Sequence, residues 1–345
     1  MSPLVIDEVT GPRREARVLG VFPTCVYLGM GEHDAVLAVL ARDALLQPIG
    51  LRLGVSSAEV SWGVTAGDVV DVGEGRVRLA RADVVAARVQ RPARVRPPHH
   101  AAPVPGRVAP NSRTGGRSLG PLDGGGGRGG GRLGPLDQVS ESSGLECGPR
   151  PARLWPLDRA RDLAAAALAR RPVAPLLRGL IGAGAGLTPS GDDAVAGVLL
   201  ALRSAGALDA VDAIDREVRA LSHTTTSISA ALLRAAGQGY AVPEVVALVD
   251  LLAEAPEPTD YHDPAVGPGS STTAPYARPS WQSIGPTLER VLAIGHSSGR
   301  DLVAGLRGAR DALAGRALAG RALADRALAD HVSTHATIQE GVLHG

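Results

Sequence analysis

The sequence predicts an α+β protein: a small β-rich N-terminal domain followed by a mainly α-helical C-terminal domain. Three observations predict it. Residues 1–95 carry short apolar runs with period-two alternation between Gly and Pro breaks. Residues 96–152 carry neither a strand nor a helix pattern. From residue 153 onward, apolar residues recur at spacings of three and four.

In the first region, ARVLGVFPTCVYLGM places Val18, Val21, Val26, Tyr27 and Leu28 between breakers. LLQPIGLRLG adds a short strand, and DVVDVGEGRVRLA reads as a hairpin around Gly73-Glu74-Gly75. A small sheet or partial barrel is expected. The region 96–152 contains RPPHH, GGGGRGGG and LGPLD twice, with a related LWPLD at 154–158. Gly-rich chain buries too little to offset its ordering entropy, so a disordered linker or insert is expected, and His99 and His100 read as linker histidines.

Helices follow. RARDLAAAALARR is Ala-rich, and LDAVDAIDREVRALS lines up Leu208, Val211, Ile214, Val218 and Leu221 on one face. SISAALLRAAGQG stops at glycines, and PEVVALVDLLAE opens with a proline suited to a first helical turn. Residues 254–283 read as a Pro/Gly/Ser loop holding Tyr261, His262 and Asp263. TLERVLAIGHSSGRDLVAGLRGARDAL closes a motif-bearing helical domain at 153–310. The tail, 311–345, repeats RALAG-RALAD-RALAD. Its leucines, among them Leu318, spiral around a helix without forming a stripe, so an extra or frayed helix without chemistry is expected.

Composition narrows the function. The chain has 345 residues, 44% hydrophobic but only 2% aromatic, so Ala, Val and Leu must build its core. Its formal net charge is +1, which argues for neither nucleic acid nor an anionic membrane as a partner. All 36 Lys/Arg positions are arginine, which excludes a Schiff-base lysine and a P-loop lysine. Cys25 and Cys147 form no CxxC pair, the N-terminus shows no signal-peptide pattern, and no apolar run is long enough to span a bilayer. A cytoplasmic protein is expected.

The motif that carries most information is LIGAGAGLTPSGDDAVAGVLLALR, Leu180 to Arg203. Its SGDDAVAG, from Ser190, is echoed by SGRDLVAG, from Ser298. Each echo reads as a capping box, Ser190 with Asp193 and Ser298 with Asp301. Two capped helix starts account for that pattern alone. A sharper reading adds to it. A helix start behind a glycine turn offers free N–H groups and a positive dipole end to an anion. Two such starts facing each other would clamp a small dianion. Asp192, left over after the capping role of Asp193, would then meet a cation or the donors of the ligand.

Other motifs weigh less. Gly182-x-Gly184-x-Gly186 departs from the dinucleotide fingerprint and has no acidic residue about 20 positions on. GHSSG matches G-x-S-x-G with Ser297 in the nucleophile place. VLAI before it fits an elbow, but a downstream acid and histidine would have to come from the repetitive tail (Asp325, Asp330, His331, His335), which weighs against hydrolase chemistry. His223 and His296, with Asp192 and Asp193, admit a metal site or a proton shuttle, though no local metal-ligand spacing exists. Thr224, Thr225 and Thr226 read either as caps or as hydroxyl donors to a ligand.

Taken together, GAGLTPSGDDAVAG, HTTTSISAALLRAA and LAIGHSSGRDLVAGL resemble a bacterial family, many of its members of unknown function, typified by the AllH subunit of oxamate carbamoyltransferase. The resemblance is good over residues 173–310 and weak over the β-rich N-terminus. It implies a role in allantoin, and so purine, catabolism, in a multi-subunit complex with two other subunit types. That complex transfers a carbamoyl group between oxalurate and phosphate. The insert at 96–152 and the loop at 254–283 depart from the family pattern.

The site assignments rest on the residue argument rather than on the resemblance. Gly184, Gly186, Thr188, Ser190, Gly191, Asp193, Thr225, Ser297, Ser298 and Gly299 are expected to bind a small anionic substrate, and Asp192 and His296 to handle a proton. No organic cofactor is expected, and the acidic pair leaves room for a divalent cation such as Mg²⁺. The alternative is a non-catalytic anion-binding partner or regulatory subunit of the same complex.

Overall fold

A computed structural model describes residues 1–31, 35–98, 155–254 and 281–342. The expected readings at His99, His100, Cys147 and Tyr261–Asp263, and the glycine-rich repeats, lie outside the described residues. By its contacts the chain divides into two units, residues 99–152 forming one and Met1–Pro98 with Arg153–Gly345 the other. The sheet and the helices all belong to the latter unit.

An N-terminal sheet and a helical C-terminal region build an α+β fold. The sheet holds β1 (Arg14–Val21), β2 (Cys25–Met30), β3 (Ala35–Leu40), β4 (Gly50–Arg52), β5 (Val69–Gly73), β6 (Arg76–Leu79) and β7 (Ala82–Val85). Their order is β4-β3-β2-β1-β5-β6-β7, an open sheet rather than a barrel. Only the β3–β4 pairing is parallel. The expected hairpin forms: Gly73 pairs with Arg76, and Glu74 and Gly75 close the loop, both with positive φ as a type I′ turn requires. β1 alternates between exposed and buried positions, whereas β3 is buried along nearly its whole length because a helix packs on its outer face.

The helices are α1 (Ile6–Thr10), α2 (Trp155–Leu168), α3 (Ala174–Arg178), α4 (Ser190–Ser204), α5 (Leu208–Ala220), α6 (Ser227–Gly237), α7 (Pro243–Glu254), α8 (Trp281–Leu292) and α9 (Ser298–Val342). α4 is the hub. Its run Val198–Leu202 is buried on every side, as a helix surrounded by others must be, and it packs against α9, α6, α2, α5 and α7. α5 buries Val211, Ile214 and Val218 as its spacing predicts. Leu208 departs from the expected face: it is the first residue of the helix and stays exposed. α6 joins the two cores, placing Ile228 and Ala231 among the sheet's buried residues and Leu233 and Ala236 among those of the helices. The repetitive tail continues α9 without a break to Val342. Among the described residues no helix is long and apolar enough to cross a membrane.

Candidate functional site

The two echoing motifs meet in space. The hydroxyl of Thr188, just before α4, lies 2.9 Å from the hydroxyl of Ser298, the first residue of α9. Behind that contact the two helices pack backbone to backbone. A Cβ at Gly197 would come within 2.2 Å of the Leu302 carbonyl oxygen, and one at Gly305 within 2.0 Å of the Ala194 carbonyl oxygen. Gly197 and Gly305 occupy equivalent places in the repeat, as do Ala194 and Leu302. The approach is therefore reciprocal, like that across a two-fold axis. Gly191 and Gly299, also equivalent, face the carbonyls of Leu180 and Val291 at distances that only a glycine allows.

The glycine loop ahead of α4 owes its shape to positive backbone dihedrals. Gly182 has φ 75° with the Thr224 carbonyl where its side chain would stand, and Gly184 has φ 128° with the Ser190 N–H there. Gly184, Ala185, Gly186 and Leu187 are exposed. The backbone N–H groups of residues 184–188 donate to no acceptor among the described residues, nor do those of Gly295, His296 and Ser297 at the second start. Rows of free donors at helix N-termini form an environment that accepts an oxyanion.

The expected capping boxes do not form. Pro189 stands at the N-cap of α4 without a side-chain cap bond, and its carbonyl accepts the N–H groups of Asp192 (2.9 Å) and Asp193 (3.2 Å). At the second start the Asp301 N–H reaches the Ser297 carbonyl at 3.0 Å, while the Ser298 hydroxyl turns to Thr188. Each serine is one residue too far into its helix to cap it. This releases Asp193 and Asp301 from capping. Each keeps one buried carboxyl oxygen, Oδ2, without a hydrogen-bond partner among the described residues.

Burial pushes the Asp193 carboxyl up to about 7. The nearby acids Asp301 and Asp192 push the same way, and hydrogen bonds from Ser298 and Thr188 only partly oppose them. A carboxyl in that range exchanges a proton readily near neutral pH.

Asp192 sits differently. It is 1% exposed. Its Oδ1 accepts the Gly182 N–H at 2.8 Å, and its Oδ2 accepts the hydroxyls of Ser229 (2.6 Å) and Thr225. Ser229 carries no local signal in the sequence, because it lies within a helix, three residues after a threonine cap. The three threonines divide their work. Thr226 caps α6 through the Ser229 N–H at 3.0 Å and donates to the Leu187 carbonyl. Thr225 holds Asp192, and Thr224 donates to the Leu221 carbonyl at 2.7 Å.

His296 is exposed beside Gly295, at the rim of the second start, and Ser297 is half-buried next to it. The elbow reading of GHSSG is overturned: α8 and a turn precede Ser297, where a nucleophile elbow needs a strand. His223 is exposed in the short turn Ser222–Thr224. Among the described residues no three His, Cys, Asp or Glu side chains gather into a metal-binding group. A separate cavity of about 250 Å³ lies between α4, α7 and α9, lined by Ala201, Val249, Leu252, Leu306 and Arg310. It sits at the opposite end of α4 from the glycine loop and shares no residue with it.

No curated protein and no solved structure matches the chain. A protein-family model does, over residues 180–266, a span that holds the glycine loop, Asp192, Asp193 and the threonine–Ser229 cluster but ends before His296 and Ser298. The family is described as oxamate carbamoyltransferase subunit AllH, and it is to this family that residues 180–266, about a quarter of the chain, are similar.

Proposed function

We propose that the converged starts of α4 and α9 bind a small oxyanion and that the chain works as a subunit of a carbamoyltransferase-type complex. The free N–H groups of residues 184–188 and 295–297 would hold phosphate or a carboxylate. In acyl transfer the same donors would stabilise the negative charge that develops on the carbamoyl oxygen. Asp193 replaces Asp192 as the group that passes a proton, with Asp301 across from it and His296 at the exposed rim.

The single observation that carries this reading is the meeting of Thr188 with Ser298 at 2.9 Å. It turns two helix starts far apart in sequence into one donor-lined surface with an acid of raised pKa between them. The glycine loop is open to solvent, as a surface completed by another subunit of such a complex would be. The same openness favours a second reading, a non-catalytic subunit that binds an anion while the chemistry takes place in a partner.

The test is a thermal-shift and calorimetric titration of the purified chain with phosphate, carbamoyl phosphate and oxamate, with and without Mg²⁺. A ligand at 100 times its Kd should add about 2.7 kcal/mol of stability. Stabilisation that disappears in Ser298→Ala and Thr188→Val places the anion at the junction. No shift with any of the three removes both readings for the isolated chain. Turnover in a reconstituted complex that survives Asp193→Asn selects the non-catalytic one.

A further inference from the structure

We propose that Asp192 is the positioning residue of the glycine loop: through Ser229 and Thr225 it fastens the loop to α6, and it does not touch the ligand. This deepens the anion-binding reading and rests on it only for what the loop is for. The geometry of the fastening stands apart from any ligand.

Both oxygens of Asp192 are occupied. Oδ1 takes the Gly182 N–H at 2.8 Å, and Oδ2 takes the Ser229 hydroxyl at 2.6 Å together with that of Thr225. At 1% exposure the side chain has no open face. The far end of the link is equally fixed. Ser229 follows Ile228, which is buried in the sheet's core, so the chain of contacts runs from the sheet through α6 to the loop. A second tie, from Thr226 to the Leu187 carbonyl, holds the distal side of the loop to the same helix. The next residue differs on each count: Asp193 keeps an unpartnered Oδ2 and faces Ser298 across the junction. Neighbouring aspartates on one helix turn thus divide the work, one inward on the loop's frame, the other at the junction.

Substitutions separate positioning from chemistry. Asparagine at 192 keeps an oxygen for the Gly182 N–H and presents an NH₂ group toward two hydroxyls, each of which can accept as well as donate. The frame survives although the acid is gone. Alanine removes the frame.

The primary readout is hydrogen exchange at the amides of Gly182, Ala183 and Gly191, which bond to Asp192 Oδ1 (2.8 Å), the Leu180 carbonyl (3.0 Å) and the Ala183 carbonyl (2.8 Å). The proposal expects Asp192→Asn to stay within about threefold of wild type, and Asp192→Ala to speed exchange at least about tenfold, the equivalent of one lost buried hydrogen bond. Thr225→Ser, which keeps the hydroxyl, should match wild type. If Asp192→Ala does not fold, Ser229→Ala gives the same readout with a rise of a few fold.

Titration with inorganic phosphate across pH completes the test. Asp192→Asn should keep the wild-type Kd within about threefold and the same pH profile. Unchanged exchange in Asp192→Ala, or in Ser229→Ala where that variant stands in, overturns the proposal. So does loss of phosphate binding in Asp192→Asn with exchange unchanged, because the acid itself would then serve the ligand. Wild-type protein that binds no phosphate but shows the expected exchange pattern removes the anion reading and leaves the positioning role standing.

Discussion

Asp193 and Asp192 are chemically identical neighbours, and the fold gives them opposite surroundings. Asp192 is ringed by three donors. Asp193 has two other acids in its field and a carboxyl oxygen without a partner. Its folded-state value of about 7 stands above the ordinary 3.8, so the folded chain holds a proton that the unfolded chain has released between those two values. The stability contribution is present in full below the lower value and is lost as pH rises through the upper one. Asp193→Asn should therefore be more stable than wild type at pH 8, by on the order of 2–4 kcal/mol, with little difference at pH 4. Chemical denaturation at the two pH values measures this. The same variant should abolish any pH dependence of anion binding near neutrality. A gain in stability at the cost of function is what a strained functional group predicts.

At the scale of elements, the junction depends on how closely α4 and α9 approach. The close contacts at Gly197 and Gly305 are to backbone atoms, which cannot swing aside as a flexible side chain would. Alanine at either position raises helix propensity by about 1 kcal/mol in isolation but must push the two helices apart. The net effect expected for Gly305→Ala is destabilisation by about 1–3 kcal/mol, read from the denaturant midpoint. It should also weaken anion binding, because Thr188 and Ser298 separate with the helices. Gly315→Ala, on the same helix with no atom near its added Cβ, is the control and should be neutral or slightly stabilising. The hairpin at Glu74-Gly75 makes a smaller case. Glu74 adopts φ 55°, which asparagine tolerates better, so Glu74→Asn should raise the melting temperature slightly despite losing an exposed ion pair to Arg78.

Over the whole molecule, the sheet and the helices share one compact unit although residues 99–152 separate them in sequence. α6 is the bridge, and its N-terminus carries both ties to the glycine loop. Replacing residues 99–152 by a flexible linker of similar reach should leave the melting transition single and the phosphate response intact, as calorimetry of the shortened chain would show. A split into two transitions would mean that this segment contributes to the fold it interrupts.

The chain by itself determined the class of fold and the location of the motifs. Period-two runs broken by Gly and Pro specify strands, period-3.6 runs specify helices, and the hairpin was legible because two alternating apolar runs flank Gly73-Glu74-Gly75. The string GLTPSGDD, with its echo near Ser298, marked the candidate site because glycine turns followed by serine and aspartate are a local signal. Tertiary structure decided what those residues do. Whether Ser190 caps its helix depended on a one-residue difference in where α4 begins, which propensity does not resolve. Which aspartate is enclosed and which is left open depended on Ser229, Thr225 and Ser298, all of them distant in sequence from the loop. The meeting of the two motifs depended on Gly197 and Gly305 allowing their helices to touch. Local preferences fix dihedrals one residue at a time; burial and the raised pKa of Asp193 arise only when separate segments share the same space.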